Sequence, residues 1–139
     1  MKSKITLNEA VKFHGHLGPY LVLGILAGDL ALKRLGAKKY FGINVKVWGV
    51  SKRPRSCFID GIQLSTGATY GKGNIEKLSG PLIKAEFRSR ANSKKIILKF
   101  RDGLISKLTG AKTHRDAESL AKEIYKKDHD ELFNLIPNT

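Results

Sequence analysis

The first third of the chain repeats its apolar residues every three or four positions, which predicts two consecutive helices. Residues 6–13 begin with T-L-N-E, a capping-box sequence in which Thr6 and Glu9 satisfy each other's backbone N–H groups. Residues 17–35 continue as the longest helix, and Gly36 is expected to end it in a left-handed conformation. We therefore expect a short helix followed by a long one.

The long helix is expected to lie in the protein core. Its most apolar part, residues 17–32, is shorter than the roughly 20 residues needed to cross a bilayer, and it contains Asp29. Gly24 and Gly28 lie four residues apart on one face, where they allow another backbone to approach closely. That neighbour is either a helix of the same chain or a second copy of the chain, and the sequence leaves both open.

The rest of the chain predicts a sheet and one more amphipathic helix. Residues 43–50 alternate between apolar and polar side chains, as do residues 81–88 and 94–101, which are joined by the turn 89–93 into a hairpin. Residues from 113 or 114 to about 127 have helical periodicity. A final apolar cluster consists of Leu132, Phe133, Leu135 and Ile136. We predict an α+β fold with a mostly antiparallel sheet packed with helices, in a single domain spanning residues 1–139.

The composition is strongly basic, with a formal net charge of +14 and a pI near 10.0. Residues 33–55 contain eight basic side chains and no acidic one. Such a charge attracts nucleic acid, phosphorylated metabolites or acidic proteins. The basic residues alternate with apolar residues and are not interleaved with aromatic ones, so nucleic-acid binding is a weak expectation and a solvated surface is the simpler one.

Cysteine usage and the N-terminal sequence indicate a cytoplasmic protein. The single cysteine, Cys57, excludes an internal disulfide framework and is compatible with a reducing compartment. Residues 1–10 lack the apolar stretch of a signal peptide.

The side chains best suited to chemistry lie in two segments, of which the first is FHGHLGPY at residues 13–20. His14 and His16 would point in different directions on a regular helix, but Gly15 and the Gly18-Pro19 pair break the helix there. Both imidazole rings are then able to face one cavity at a junction between two helices.

The second segment begins at Cys57, in the first turn of a helix predicted to run to about Ser65 with Ser56 as its N-cap. The positive end of that helix, together with Arg53 and Arg55, is expected to favour the thiolate form of the cysteine. Asp60 follows at i+3 and shares its helix face with Cys57.

The second segment ends in the glycine-rich turn GATYGKGN at residues 67–74. It is not a phosphate-binding P-loop, because only three residues separate its first glycine from the Gly-Lys pair and a glycine follows the lysine. Its backbone N–H groups are able to form an anion-binding nest beside Lys72. We predict ligand binding by Thr69, Lys72 and Asn74, with a purely structural turn as the alternative.

Together, FHGHLGP and CFIDGIQLSTGATYGKGN resemble the E-subunit family of formylmethanofuran dehydrogenase. The resemblance implies a small α+β protein, a homodimer, and a zinc-type site at His14, His16 and Cys57. This chain has Gly18 and Ala68 where many family members have cysteines, and it lacks the C-terminal CxxC pairs of longer members.

These features predict a divalent transition metal, zinc, held by two imidazoles and one thiolate with one coordination position open. Asp60 and Lys72 are the candidates for proton transfer or for binding a small anionic or C1-type ligand. The alternatives are a structural core without metal, a non-catalytic accessory subunit of a molybdenum or tungsten oxidoreductase, and a charge-driven nucleic-acid binder. Whether the protein is an enzyme stays open at this point.

Overall fold

In the computed structural model, which describes residues 5–138, eleven helices and strands and one 3-10 turn follow one another along the chain. They are α1 (Leu7–His14), α2 (Pro19–Leu35), the 3-10 turn Tyr40–Gly42, β1 (Ile43–Trp48), α3 (Cys57–Thr66), β2 (Ile75–Leu78), β3 (Lys84–Ser89), β4 (Lys95–Phe100), α4 (Leu104–Thr109), α5 (His114–Tyr125), α6 (His129–Leu132) and β5 (Phe133–Asn138). The fold is α+β, as the sequence predicts.

The five strands form one sheet in the order β2-β1-β3-β4-β5. Only β1 and β2 run parallel; the other three neighbouring pairs are antiparallel. The predicted alternation holds in β1, whose residues are alternately buried and exposed. In β3 and β4 the buried side chains also fall on one face, so the helices cover that face and the other is open to solvent.

Helix α2 is the centre of the hydrophobic core, because most of its residues are buried on every side. It packs on α3, on α5 and on the covered face of the sheet. Apolar side chains such as Leu23, Phe58 and Phe87 are fully buried between these layers. Burial all round explains why this helix is apolar on all faces.

The two glycines of α2 make contacts within the chain, with α3. A Cβ atom on Gly24 would lie 2.1 Å from the backbone oxygen of Phe58, and one on Gly28 would lie 2.0 Å from the Ser65 hydroxyl. Gly61 of α3 faces the same contact, 2.1 Å from the oxygen of Leu21 by the same construction. The close approach is therefore helix packing inside one protein, which settles the alternative that the sequence left open.

The predicted helix ends are mostly confirmed. Thr6 and Glu9 form the capping box, and Gly36 and Gly67 end α2 and α3 in left-handed conformations. Ser56 occupies the N-cap position of α3, but its side chain makes no capping hydrogen bond. The physical reason is that residues 53–56 already turn, so the first N–H groups of α3 bond to backbone oxygens from Pro54 onward.

Four elements were missed by sequence reasoning: β2, α4, α6 and β5. Among residues 5–138, no single helix is long and apolar enough to span a bilayer. Helices α1 and α2 reach that length and apolarity only when they are counted together, and the chain bends by 116° where they join.

Candidate metal centre

His14, His16 and Cys57 are brought together by the ends of three helices. Helix α1 ends at His14, where Gly15 adopts a φ of 107° that turns the chain toward α2. His16 lies in the resulting junction, with its ring centroid 4.7 Å from that of His14. Cys57 begins α3, and one potential ligand atom from each of the three residues lies within 4.8 Å of the other two.

Asp60 fixes the orientation of the His14 ring. Its carboxylate Oδ2 lies 2.6 Å from His14 Nδ1, and because an ionised carboxylate only accepts hydrogen bonds, Nδ1 is the donor. The other carboxylate oxygen accepts from Gln63 Nε2 at 3.3 Å. The proton of His14 is thereby placed on Nδ1, which leaves the Nε2 lone pair free to bind a ligand.

The remaining nitrogen of His14 supports a metal at this position. The His14 side chain is only 9% exposed, and its Nε2 atom is buried. This atom has no hydrogen-bond partner among the described residues. Buried polar atoms almost always have a partner, so an orphan of this kind calls for an ion or a water. A histidine that donates one ring N–H to a carboxylate and directs the other nitrogen to a metal is the usual arrangement in protein metal sites.

The protonation of Cys57 differs from the sequence-based expectation. Burial raises the pKa of the Cys57 thiol, and the neighbouring Asp60 carboxylate raises it further, whereas Arg53 and a backbone hydrogen bond lower it less. Arg55 lies beside the Tyr20 hydroxyl instead. Burial raises the pKa of Tyr20, and Arg55 lowers it by a smaller amount. Arg53 therefore favours the thiolate, as the sequence predicts, but the expectation of a lowered thiol pKa is wrong for the metal-free site, because burial and Asp60 outweigh Arg53.

Thr69, Lys72 and Asn74 lie in the glycine-rich turn, away from the cavity described below. The Asn74 amide donates to the backbone oxygens of Tyr40 and Ile43, and its oxygen accepts from the backbone N–H of Thr69. Lys72 Nζ is 3.4 Å from Thr69 Oγ1 and lies over the ring of Tyr40. Asn74 thus ties the turn to the start of β1, and ligand binding by these three residues stays a prediction.

One further contact links this turn to the three candidate ligands. Gln63 Oε1 accepts the backbone N–H of Tyr70 at 2.9 Å, while its nitrogen donates to Asp60. The glycine-rich turn therefore supports the carboxylate that orients His14.

Gly18 and Ala68 occupy the two positions at which the resemblance led us to look for cysteines. Gly18 adjoins the ring of His16, and Ala68 is fully buried in the core.

A cavity of about 310 Å³ opens beside His16 and Cys57. One wall is the junction before α2 together with Arg53 and Pro54; the other is formed by residues 108–117, between the end of α4 and the start of α5. Sequence reasoning missed Lys112 as part of this cavity. His114 is exposed and also lines the cavity, whereas His129 is half-buried and lies outside the lining. Nothing in the sequence indicated that the α4–α5 connection would reach a site built by α1 and α3.

Comparison with known proteins identifies one family across almost the whole chain. The family profile described as "FmdE, Molybdenum formylmethanofuran dehydrogenase operon" matches residues 13–136. A solved structure from Syntrophus aciditrophicus, described as a tungsten formylmethanofuran dehydrogenase FmdE-like protein, shares the fold with a TM-score of 0.66 at 21% identity. That match covers 95% of this chain and 69% of the other one.

A curated protein of Archaeoglobus fulgidus, named a probable S-adenosyl-L-methionine-binding protein, is 30% identical to this chain over 78 residues. The aligned part covers 53% of this chain and 21% of that protein. The aligned part thus corresponds to about a fifth of the length of this relative.

Proposed function

Because the chain belongs to the FmdE family, we propose that it holds a divalent transition-metal ion, zinc, at His14, His16 and Cys57. The observation that carries the proposal is the convergence of the three donors within 4.8 Å, together with the buried and unpartnered Nε2 atom of the partly buried His14. Two imidazoles and a thiolate suit zinc and similar borderline metals, whereas calcium and magnesium prefer oxygen ligands.

Three protein ligands leave one coordination position for an outside group, as in catalytic zinc sites. When bound, the ion would act as a Lewis acid on a small anionic or C1-type ligand, by polarising its carbonyl or lowering the pKa of a bound water. Asp60 is engaged with His14, so its role is to hold that ring and its proton. His16 is exposed and Cys57 partly so, which leaves the proposed ion accessible from the cavity.

The test is the metal content of untagged protein purified without chelator, with His16→Ala and Cys57→Ala as variants. His129→Gln is the matched control, because it removes an imidazole that lies outside the site. We expect about one metal ion per chain in the unmodified protein and in the control, and none in the two site variants. Protein that stays metal-free even after reconstitution would overturn the proposal.

A second candidate function is that of an accessory subunit without catalysis of its own. The family description refers to a molybdenum formylmethanofuran dehydrogenase operon, which favours an oxidoreductase partner. Such a subunit would co-purify with that partner from its source cells, and His16→Ala would leave the complex intact. A metal-dependent activity of the isolated chain would argue against this alternative.

Other expectations are part of the proposal. We expect a homodimer, which a mass measurement in solution tests, and a cytoplasmic location, because a thiol ligand must stay reduced. The name of the archaeal relative adds S-adenosylmethionine to the ligands worth testing. Charge-driven nucleic-acid binding would fall steeply with salt and would be unaffected by Cys57→Ala.

A further inference from the structure

The cavity beside the candidate metal centre is lined by cationic side chains as well as apolar ones. Arg53 and Lys112 both line it, and no carboxylate does so among the residues that the structure describes. The lining of the cavity therefore carries two positive charges from two segments of the chain, the loop before α3 and the α4–α5 connection.

Helix α5 adds to this potential. Its N-terminus lines the cavity through Thr113 and His114, and the partial positive charge of a helix N-terminus attracts anions. The Thr113 hydroxyl accepts the N–H of Asp116, whose carboxylate offsets part of the effect from the first turn of α5. The two side-chain cations are thus the main source of the field, and the helix is a secondary one.

Part of the cavity lining is apolar. Leu17, Pro19, Leu108 and Ala117 contribute to it, and the lining residue Tyr20 is buried. At about 310 Å³ the cavity has room for about ten water-sized groups, since each water occupies ~30 Å³ in the liquid. Its volume and lining suit a ligand with a short apolar segment. The cavity is too small to enclose a large cofactor.

We propose that this cavity binds a small amphiphilic anion. A compact oxyanion, carboxylate or phosphate, binds Arg53 and Lys112, a short apolar segment contacts Leu17 and Leu108, and a donor group of the same ligand faces His16 and Cys57. The proposal rests on the proposed function only where that donor group meets the metal. It assigns anion recognition to Arg53 and Lys112, in addition to the Lys72 turn predicted from the sequence.

The test uses pairs of thiols that differ only in the charge of their far end. The cobalt-loaded protein is titrated with 3-mercaptopropionate and with 3-mercapto-1-propanol, and the change in the cobalt absorption bands reports binding at the metal. We expect the acid to bind about tenfold more tightly at low salt, as two exposed ion pairs and a helix N-terminus together provide. Because both thiols carry the same metal-binding group, the ratio isolates the oxyanion. Substituting 2-mercaptoethylphosphonate for the acid shows which oxyanion binds more tightly.

The variants are Lys112→Met, Arg53→Met and the double variant, with Lys94→Met as a control that removes one exposed lysine from the β3–β4 turn. Each single site variant should reduce the acid preference to about threefold, the double variant should abolish it, and the control should leave it unchanged. Equal binding of acid and alcohol by the unmodified protein, or an undiminished preference in the double variant, would overturn the inference.

Failure of the metal proposal has a different signature. If the protein takes up neither zinc nor cobalt, the proposed function fails, and the cavity is tested in the metal-free protein by comparing butanoate with 1-butanol in nuclear magnetic resonance titrations. A butanoate preference that Arg53→Met and Lys112→Met remove would uphold the anion site on its own. Its absence there would overturn this inference as well.

Discussion

At the scale of single residues, the candidate centre depends on one carboxylate that is not itself a candidate metal ligand. Asp60 accepts the Nδ1 proton of His14 at 2.6 Å, and Gln63 in turn donates to Asp60. This contact selects the tautomer and the ring orientation of His14, so that Nε2 is the nitrogen presented to a metal. The free energy of metal binding should therefore respond to Asp60 although Asp60 is not a ligand.

We expect Asp60→Asn to weaken zinc binding by about 10- to 100-fold, because an amide is a weaker acceptor and is able to turn its NH₂ group toward His14. Competition against a coloured zinc chelator measures the affinity. Asp102→Asn, an exposed carboxyl in the turn after β4, is the matched control and should bind zinc as the unmodified protein does. Unchanged affinity in Asp60→Asn would show that the hydrogen bond does not prepare the site.

A second residue-scale prediction concerns acid stability. Burial lowers the pKa of His129 below its ordinary value of 6.5, and Lys33 adds to this, while Asp29 and Asp130 oppose it. The unfolded chain then takes up this proton at a higher pH than the folded protein does, so stability is lost as the pH falls from 6.5 through the lowered pKa. In His129→Gln the free energy of unfolding should fall less between pH 7.5 and pH 5.5.

Urea unfolding at both pH values measures this difference, and a third series at pH 8 provides the control. At pH 8 the imidazole is neutral in the folded and the unfolded state. The free energy of unfolding should therefore change by the same amount in both proteins between pH 7.5 and pH 8. A loss of stability on acidification that is identical in both proteins would rule out His129 as a contributor.

At the scale of elements, the contact between α2 and α3 determines where Cys57 lies relative to the histidines. The histidines immediately precede α2, Cys57 begins α3, and the two helices approach so closely that Gly24 and Gly61 face each other across the contact. The distance between the two helices thus sets the distance between the metal ligands.

We expect Gly61→Ala to destabilise the protein by about 3 kcal/mol or more. The new Cβ would lie 2.1 Å from the backbone oxygen of Leu21, which no side-chain rotation relieves. The gain in helix propensity, about 1 kcal/mol, is too small to compensate. Urea unfolding measures the loss, and metal content should fall because Cys57 moves away from the histidines.

Gly110→Ala is the control for this substitution. Its Cβ would meet no atom closer than 3.5 Å, and the backbone φ is −70°, so stability should change by no more than about 0.5 kcal/mol. If both alanine variants unfold like the unmodified protein, the helices are able to separate without affecting the fold.

Local sequence signals were enough for the elements that are stabilised locally. Caps at Thr6, Gly36 and Gly67, and the alternation in β1, β3 and β4, depend on neighbouring residues in the chain. Strand β2 has only four residues, and β5 resembles an apolar cluster whose pairing with β4 brings together residues far apart in the chain. Such partners are not visible in a local pattern.

The same division holds at the candidate site. Glycine and proline around the two histidines indicated that both rings would face one place, and the three donors do lie together. The effect of Arg53 on Cys57 has the predicted direction, but the raised pKa of the thiol was missed because burial is a property of the folded chain. Lys112 could not be found, because its position depends on how α5 packs on α2.

At the scale of the whole molecule, part of the positive charge is concentrated on one face of the sheet. The open face of the sheet carries outward-facing lysines and arginines on three neighbouring strands: Lys46, Lys84, Arg88, Lys95 and Lys99. Some are partly neutralised or covered, since Lys95 lies 3.6 Å from Glu86 and Lys84 lies over the Trp48 ring. Two copies meeting through this face would place like charges together, so the expected homodimer should use another surface.

A metal bound at the candidate centre should also contribute to the stability of the whole fold, because the three candidate ligands come from α1, the junction before α2 and the start of α3. An ion that binds the folded protein alone stabilises it by about 2.7 kcal/mol at a concentration 100 times its dissociation constant. For a domain of this size that corresponds to a rise in Tm of about 10 °C. Calorimetry with added zinc and with chelator measures the shift, which should vanish in Cys57→Ala and persist in Lys94→Met. A shift of equal size in Cys57→Ala would mean that zinc stabilises the protein elsewhere than at the proposed centre.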